Sequence, residues 1–391
     1  MADGDLTADG DQRPLLLALD GDGLVHRAHH GMWGTDRDAL GRPTWALRGL
    51  VSSLAAATAR LRPDAVLVAL DSHDDPVRTA IYAGYKAHRP PREPDLQAQL
   101  DAAPGLLAAA GVPHTCAPGY EGDDVLASAA ALARDAGWRC VLVTSDRDAF
   151  ALVDGSTSVL RVVDGGVDAA PMLTAATIRR AYGVPPQQYR DLAALRGDTS
   201  DNLPGVPGIG AKTGARLLQA FGSADAAFAA LDAGRLAEVE AAIGASCAAR
   251  LAEPASRAAV ARNQRLMTMR EDLPLPAPDT LRLPLDRDRL VAALRARAIG
   301  LGPSLWALVG DDPPPWAPNG YDTVPRTLPR VAAPPWAGRA VPTIAELAVL
   351  REVRAREEAE RSAARRVLAA SGRRAGRGGR AVVCADQLEL F

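Results

Sequence analysis

Residues 14–20 read PLLLALD, a run of apolar side chains that closes on an aspartate. The same design recurs at 65–71 (AVLVALD) and at 139–146 (RCVLVTSD). Near-continuous apolar runs of this length are expected of parallel strands buried on both faces. Ala/Leu-rich helical stretches lie between them, at 44–61 and 122–136, and further strands are expected at 112–116 and 158–163. Strands alternating with helices predict an α/β fold with a doubly wound, mainly parallel sheet. From about 175 the pattern turns helical. There LPGVPGIG at 203–210 is a Gly/Pro hairpin opening an Ala-rich helical region.

Composition narrows the function classes. The 391 residues suffice for two modest domains with a sizeable core. A formal net charge of −2 gives no global attraction to nucleic acid, so any such binding must come from local basic patches. Cysteines at 116, 140, 247 and 384 form no C-x-x-C pair, against structural zinc or a disulfide framework and in favour of a reducing cytosol. The first twelve residues are acidic and lack the apolar core of a signal peptide. No apolar run is long enough to span a bilayer. A soluble, cytoplasmic monomer is expected, with no membrane partner.

The strand-terminal aspartates carry the chemistry. Ligands of open α/β sheets bind beyond the carboxyl ends of the strands, so Asp20, Asp71 and Asp146 should converge on one rim. Asp148, the cluster Glu121-x-Asp123-Asp124 and the motif Gly197-Asp198-x-x-Asp201 add further carboxylates. Gathered at one edge they would repel by roughly several kcal/mol unless neutralised. An all-oxygen donor set favours Mg²⁺ or Mn²⁺ over zinc. Two such ions about 4 Å apart suit phosphodiester hydrolysis. A single aspartate at a strand end is most often just a terminator; three of them together with E-x-D-D and G-D-x-x-D are not.

Two segments carry groups that suit phosphates, although by residues alone the first also reads as a solvated charged loop and the second as an ordinary turn. Residues 76–92 contain Arg78, Lys86, His88, Arg89 and Arg92, interleaved with Tyr82 and Tyr85 and free of acids. Basic groups among aromatics suit a single strand, by backbone charge and base stacking. The hairpin carrying Gly205, Gly208 and Gly210, followed by Lys212 and Thr213, offers backbone N–H groups at a helix start, where the dipole favours an anion. Lys86 and Lys212 are the only lysines of the chain, and both fall in these segments.

LLALDGDGLVHR, YAGYKAHR, PGYEGDDVLASAA, LVTSDRD and LRGDTSDNLPGVPGIGAKTGARLL resemble the 5′–3′ exonuclease/flap endonuclease family, which includes the N-terminal nuclease domain of DNA polymerase I and stand-alone forms. The resemblance covers roughly 14–300 in unbroken order. It implies a PIN-like nuclease domain over 14–174, with an arch at about 76–100, and an α-helical helix–three-turn–helix DNA-binding domain over 175–300. Matched position by position, it implies metal ligation by Asp20, Asp71, Glu121, Asp123, Asp124, Asp146, Asp148, Asp198 and Asp201, with Lys86 and Arg89 catalytic. It implies DNA contacts by Arg78, Tyr85, Gly205, Gly208, Gly210, Lys212 and Thr213, and a K⁺ held by the 205–210 hairpin. His26 stands where an aromatic, usually Tyr, is frequent in bacterial members. The implied substrates are 5′-flap, nicked and 5′-ended duplex DNA. A catalytically silent binder of branched DNA and a PIN-type ribonuclease are the competing readings. The complete acidic set argues against the first, the duplex-gripping hairpin after Asp201 against the second.

The remainder is read as a disordered tail at 1–13, a Pro-rich linker at 301–342, a charged helix at 343–370 opened by the capping box Thr343-x-x-Glu346, and a flexible tail at 371–391. The last five residues, QLELF, resemble the short peptide with which bacterial replication and repair proteins bind the sliding clamp. Leu388, Leu390 and Phe391 would fill an apolar pocket and Gln387 would fix the orientation.

Overall fold

The computed structural model describes residues 11–31, 34, 36–72, 76–163 and 166–312. The linker beyond 312, the charged helix at 343–370 and the tail with Gln387, Leu388, Leu390 and Phe391 lie outside the described residues, as does most of the tail expected at 1–13.

The apolar runs form strands β1 (Leu15–Asp20), β2 (Ala65–Leu70), β3 (His114–Cys116), β4 (Arg139–Thr144), β5 (Thr157–Arg161) and β6 (Met172–Leu173). They make one sheet in the order β3-β2-β1-β4-β5-β6. All neighbours are parallel except the β5/β6 pair. The central strands are buried on both faces, as their lack of polar alternation requires. Side chains of a strand point alternately to opposite faces. Leu15, Leu17 and Leu19 of β1 therefore pack with the helices Trp45–Leu61 and Pro94–Ala110, whereas Leu16 and Ala18 pack with the helix Gly122–Asp135.

The helical half follows as Ala175–Tyr182, Tyr189–Arg196, Ala211–Phe221, Ala224–Asp232, Leu236–Ile243, Ala245–Leu251 and Pro254–Leu266. Its Leu192, Leu195, Leu217 and Val260 belong to the same apolar cluster as Leu16 and Ala18. One continuous core thus holds the two halves against each other, and fixes the 197–201 turn relative to the sheet.

Two segments depart from the expectations. Residues 94–100, read as the end of an arch, already belong to the helix Pro94–Ala110, with Leu96, Gln99 and Leu100 buried. Residues 281–309 return to the sheet instead of ending a helical domain and starting a linker. The Val66 N–H donates to the Leu281 carbonyl at 3.0 Å and the Leu283 N–H to Asp64 at 2.9 Å. Arg289 then donates to the end carbonyls of the helix Pro94–Ala110, at Ala108 and Ala109. Trp306 and Leu308 are buried, with the Arg62 guanidinium 4.1 Å from the Trp306 ring centre. Among the described residues no helix is long and apolar enough to cross a membrane.

Candidate active site

Chain order reverses across β1: β2 and β3 lie to one side, β4 and β5 to the other. Such a switch point opens a crevice at the carboxyl ends of the strands. Asp20 closes β1 there. Its Oδ1 accepts the Gly23 N–H at 2.8 Å and its Oδ2 accepts the Thr144 hydroxyl, from the end of β4, at 2.8 Å. A Cβ on Gly23 would lie 2.2 Å from Asp20 Oδ2, so only glycine lets the helix Gly21–Gly31 begin against this carboxylate. Asp71, one residue beyond β2, accepts the Gly122 N–H at 2.7 Å. Past β4, the Asp146 N–H donates to the Thr144 hydroxyl at 3.0 Å and its Oδ1 accepts the Asp148 N–H at 2.8 Å. Short backbone anchors at strand and helix ends thus aim three carboxylates into one crevice.

The crowding shows in their electrostatics. Burial, then the neighbouring Asp71 and Asp146, raise Asp20 from 3.8 to about 6, against the pull of its two hydrogen bonds. Burial together with Asp146, Asp20 and Glu121 pushes Asp123 well up. Burial, then Asp146, Asp198 and Asp201, raise Asp148 to about 8. Asp201 is also raised, by burial first, although Lys86 and Arg89 oppose it. A residue not singled out from the sequence joins them. Asp22 is buried and accepts the Asp71 N–H at 3.3 Å; burial, then Asp71, lift it to about 8. The D-G-D spacing at 20–22 was the available signal, but spacing alone does not say that Asp22 turns toward Asp71.

The basic residues sit over this pool. Lys86 Nζ lies 2.5 Å from Glu121 Oε1, and the Lys86 N–H donates to the Asp201 carbonyl at 3.1 Å. Arg89 pairs with Asp201 at 2.8 Å, and Asn202 donates to the Gly84 carbonyl at 2.7 Å. Lys86 and Asn202 both have positive φ, 53° and 59°; asparagine tolerates this, whereas for Lys86 it costs roughly 1–2 kcal/mol, a strain that these cross-links hold in place. Burial opposes the Lys86 charge, but Glu121 and Asp201 outweigh it and keep the amine an ammonium. Glu121 is held below its ordinary value: burial works against this, and Lys86 and Arg78 prevail.

Four residues are placed differently from the expectations. Asp124, expected as a metal ligand, has both oxygens engaged elsewhere. Arg78 grips it at 2.7 and 3.0 Å, and it accepts the N–H groups of Glu121 and Arg270. Arg78, expected on DNA, is buried in that pair and also donates to the Leu266 carbonyl at 3.0 Å. Tyr85 is buried with its hydroxyl donating to Glu121 at 3.1 Å, so it offers no face for base stacking. A Cβ on Gly205 would lie 2.3 Å from the Arg196 backbone; this glycine serves the close pairing of Gly197–Asp198 with Leu203–Pro204. Gly208, Gly210 and Lys212 are exposed and Thr213 half-buried at the start of the helix Ala211–Phe221.

The shifts make a first prediction. Asp20, Asp22 and Asp148 bind protons more tightly folded than unfolded, between about pH 4 and 8. Stability of the cation-free protein should therefore be full below about pH 4 from these groups and fall as pH rises through 6 to 8. Excess Mg²⁺ should remove that fall, because cations bind the deprotonated carboxylates. Calorimetric unfolding in EDTA and in Mg²⁺ at pH 5 and pH 8 checks this. Identical Tm changes in the two buffers would count against the cluster as a cation site.

Family models match two consecutive stretches: "5′-3′ exonuclease, N-terminal resolvase-like domain" over 15–183 and "5′-3′ exonuclease, C-terminal SAM fold" over 184–287. The chain is 34% identical over 300 residues to a 5′-3′ exonuclease of Mycobacterium tuberculosis, covering 72% of this chain and 90% of that protein. It is 37% identical over 281 residues to DNA polymerase I of Mycobacterium leprae, covering 71% of this chain. The match spans only 30% of that polymerase's length. In fold it is similar to the T5 D15 protein, crystallised with metal ions, at a TM-score of 0.50 and 18% identity, covering 76% of this chain and 97% of that one.

Proposed function

The chain belongs to the 5′–3′ exonuclease family, and from that premise we propose that it hydrolyses phosphodiester bonds of DNA at 5′ ends, nicks and 5′ flaps. The observation that carries the reading is a carboxylate pool in one crevice, with Lys86 and Arg89 held over its edge.

The donor set fits hard divalent ions: its oxygens are carboxylates only, and burial followed by mutual repulsion already lifts Asp20 to about 6 and Asp148 to about 8. Asp20, Asp71, Asp123, Asp146, Asp148, Asp198 and Asp201 are the residues proposed to hold Mg²⁺ or Mn²⁺. When bound, two or more such ions supply a low-pKa water and charge for the leaving oxygen. Glu121 is better understood as the anchor that aims Lys86, with Tyr85 fixing its second oxygen. Lys86 and Arg89 hold and orient the scissile phosphate, steadying the charge that builds on it. Asp201 sets the reach of both, through its carbonyl and its carboxylate.

The exposed Pro207, Gly208 and Gly210 of the hairpin, with Lys212, would grip duplex phosphates without reading sequence. Arg250 donates to the Pro207 carbonyl at 3.4 Å, and a K⁺ at the same hairpin is part of the proposal. Described cysteines are unpaired with one another, in keeping with a cytoplasmic location. Residues 387–391, QLELF, would tether the chain to the sliding clamp.

Product sizing on a 5′-flap duplex and on a blunt duplex, in Mg²⁺ and in EDTA, tests the reading. Mg²⁺-dependent release of 5′ fragments is the expected result; binding without cleavage would overturn it. The two lysines should separate in the same assay. Lys86→Ala should lower the single-turnover rate by about 10²-fold or more. Lys212→Ala should instead weaken duplex binding and make its salt dependence shallower by about one unit of slope. A shared kinetic signature would merge the two roles.

A further inference from the structure

A second polar cluster lies just outside the carboxylate crevice. His29 and His30 fall in the last turn of the helix Gly21–Gly31, and Glu93 precedes the helix Pro94–Ala110. One ligand atom from each of the three lies within 4.8 Å of the other two, and His29 Nε2 is 3.1 Å from Glu93 Oε2. We propose that His29, His30 and Glu93 form a binding site for a zinc-class divalent cation, separate from the carboxylate pool and its hard ions. This assignment does not depend on the nuclease reading.

The donor chemistry selects the ion. Two imidazoles and one carboxylate are a recurrent zinc set that leaves a fourth position for water, and borderline ions prefer imidazole where Mg²⁺ prefers oxygen. Ligands bound at about 2.0–2.1 Å in a tetrahedron stand roughly 3.3–3.4 Å apart, so His29 and Glu93 are already near their places, and a His30 nitrogen lies within 4.8 Å of both. His29 is pre-set by packing: its side chain is 5% exposed, stacked on Trp45 with ring centres 5.3 Å apart. The His30 ring meets it edge-on at 5.0 Å. His30 and Glu93 are exposed and line a cavity of about 570 Å³ shared with Lys86 and Arg89, which gives the ion an entry path.

Two features limit the affinity. Binding at Nε2 moves the imidazole proton of His29 to Nδ1, a buried atom with no hydrogen-bond partner among the described residues. Missing support behind a metal-bound histidine typically costs about 10- to 100-fold in affinity. Arg92, on the same cavity wall, adds an opposing charge. Micromolar binding is expected. The bound ion would join the helix that follows Asp20 to the residue that ends the 82–93 segment, and so pin the stretch carrying Lys86 and Arg89.

The test uses the full chain in excess Mg²⁺, which occupies the hard-ion site. Zn²⁺ is titrated against a chromophoric chelator, and Co²⁺ is followed by the visible absorption of its four-coordinate form. Wild type should take up one Zn²⁺ more than His30→Ala or Glu93→Gln, each of which should weaken that ion at least about tenfold. Zn²⁺ should raise the Tm of wild type and not of Glu93→Gln, an isosteric change at an exposed residue. Equal Zn²⁺ uptake by wild type and Glu93→Gln overturns the site. So does uptake that disappears only when Asp146 is replaced.

Discussion

Asp146→Ala is expected to abolish Mg²⁺-dependent cleavage while leaving DNA affinity nearly unchanged. Asp146 lies just past β4 and, after burial, is the repelling neighbour that Asp20, Asp123 and Asp148 have in common, which places it at the centre of the pool. Losing one fixed hydrogen-bond donor to a transition state costs about 10²–10³-fold. Losing the carboxylate that several others face should cost at least as much, because cation occupancy falls along with charge stabilisation. The groups proposed to grip duplex, Lys212 and the 205–210 hairpin, are on a different element and keep their charge. The same variant should gain stability at pH 8 in EDTA, since the removed charge was a source of repulsion for three neighbours. An inactive protein with a higher cation-free Tm is a signature that misfolding cannot produce. Near-wild-type turnover by Asp146→Ala would sink the cation mechanism.

Asp124→Ala should act through stability. Asp124 and Arg78 are 1% and 8% exposed and bound at 2.7 Å. Removing Asp124 leaves the buried guanidinium to the more distant Glu121, at 3.7 Å, and complete loss of such a partner runs to about 3–5 kcal/mol, so the cost should approach the lower end. The damage should extend to the joint between the halves, because Arg78 donates to Leu266 and Asp124 accepts from Arg270. Replacing both, as Arg78→Met with Asp124→Leu, removes the poorly paired charge and should recover much of the lost Tm. Urea unfolding of the two single variants and the double measures this coupling. Were Asp124 a cation ligand, the double variant would stay inactive even when folded as stably as wild type. Recovery of both stability and Mg²⁺-dependent cleavage marks it as a positioning residue.

The expectations that held most closely were those carried by local pattern. Strands β1, β2 and β4 end within two residues of the aspartates that closed the apolar runs, and the helix expected at 122–136 spans Gly122–Asp135. An apolar run without polar alternation can only be buried on both faces, so its place in the middle of a sheet follows from the chain alone. Parallel order then brings the strand ends to one rim, and Asp20, Asp71 and Asp146 with them. The return of 281–309 was not legible, because it depends on docking against the start of β2 and the end of the helix Pro94–Ala110, both remote in sequence.

The chain by itself therefore determined the sheet, the edge where charge collects and the family to which it belongs. Tertiary structure decided which charges share a space. Asp123 and Asp124 are adjacent in sequence and indistinguishable there. On a helix, neighbouring side chains diverge by about 100°. That turn sends Asp123 into the pool with Asp146 and Asp20, and Asp124 away from it onto Arg78. The same rule hid Asp22, and the meeting of His29, His30 and Glu93 came from two helices that approach only in the folded protein. Periodicity is a local property and can be read along a sequence; the direction in which one carboxylate faces is set by what packs against it.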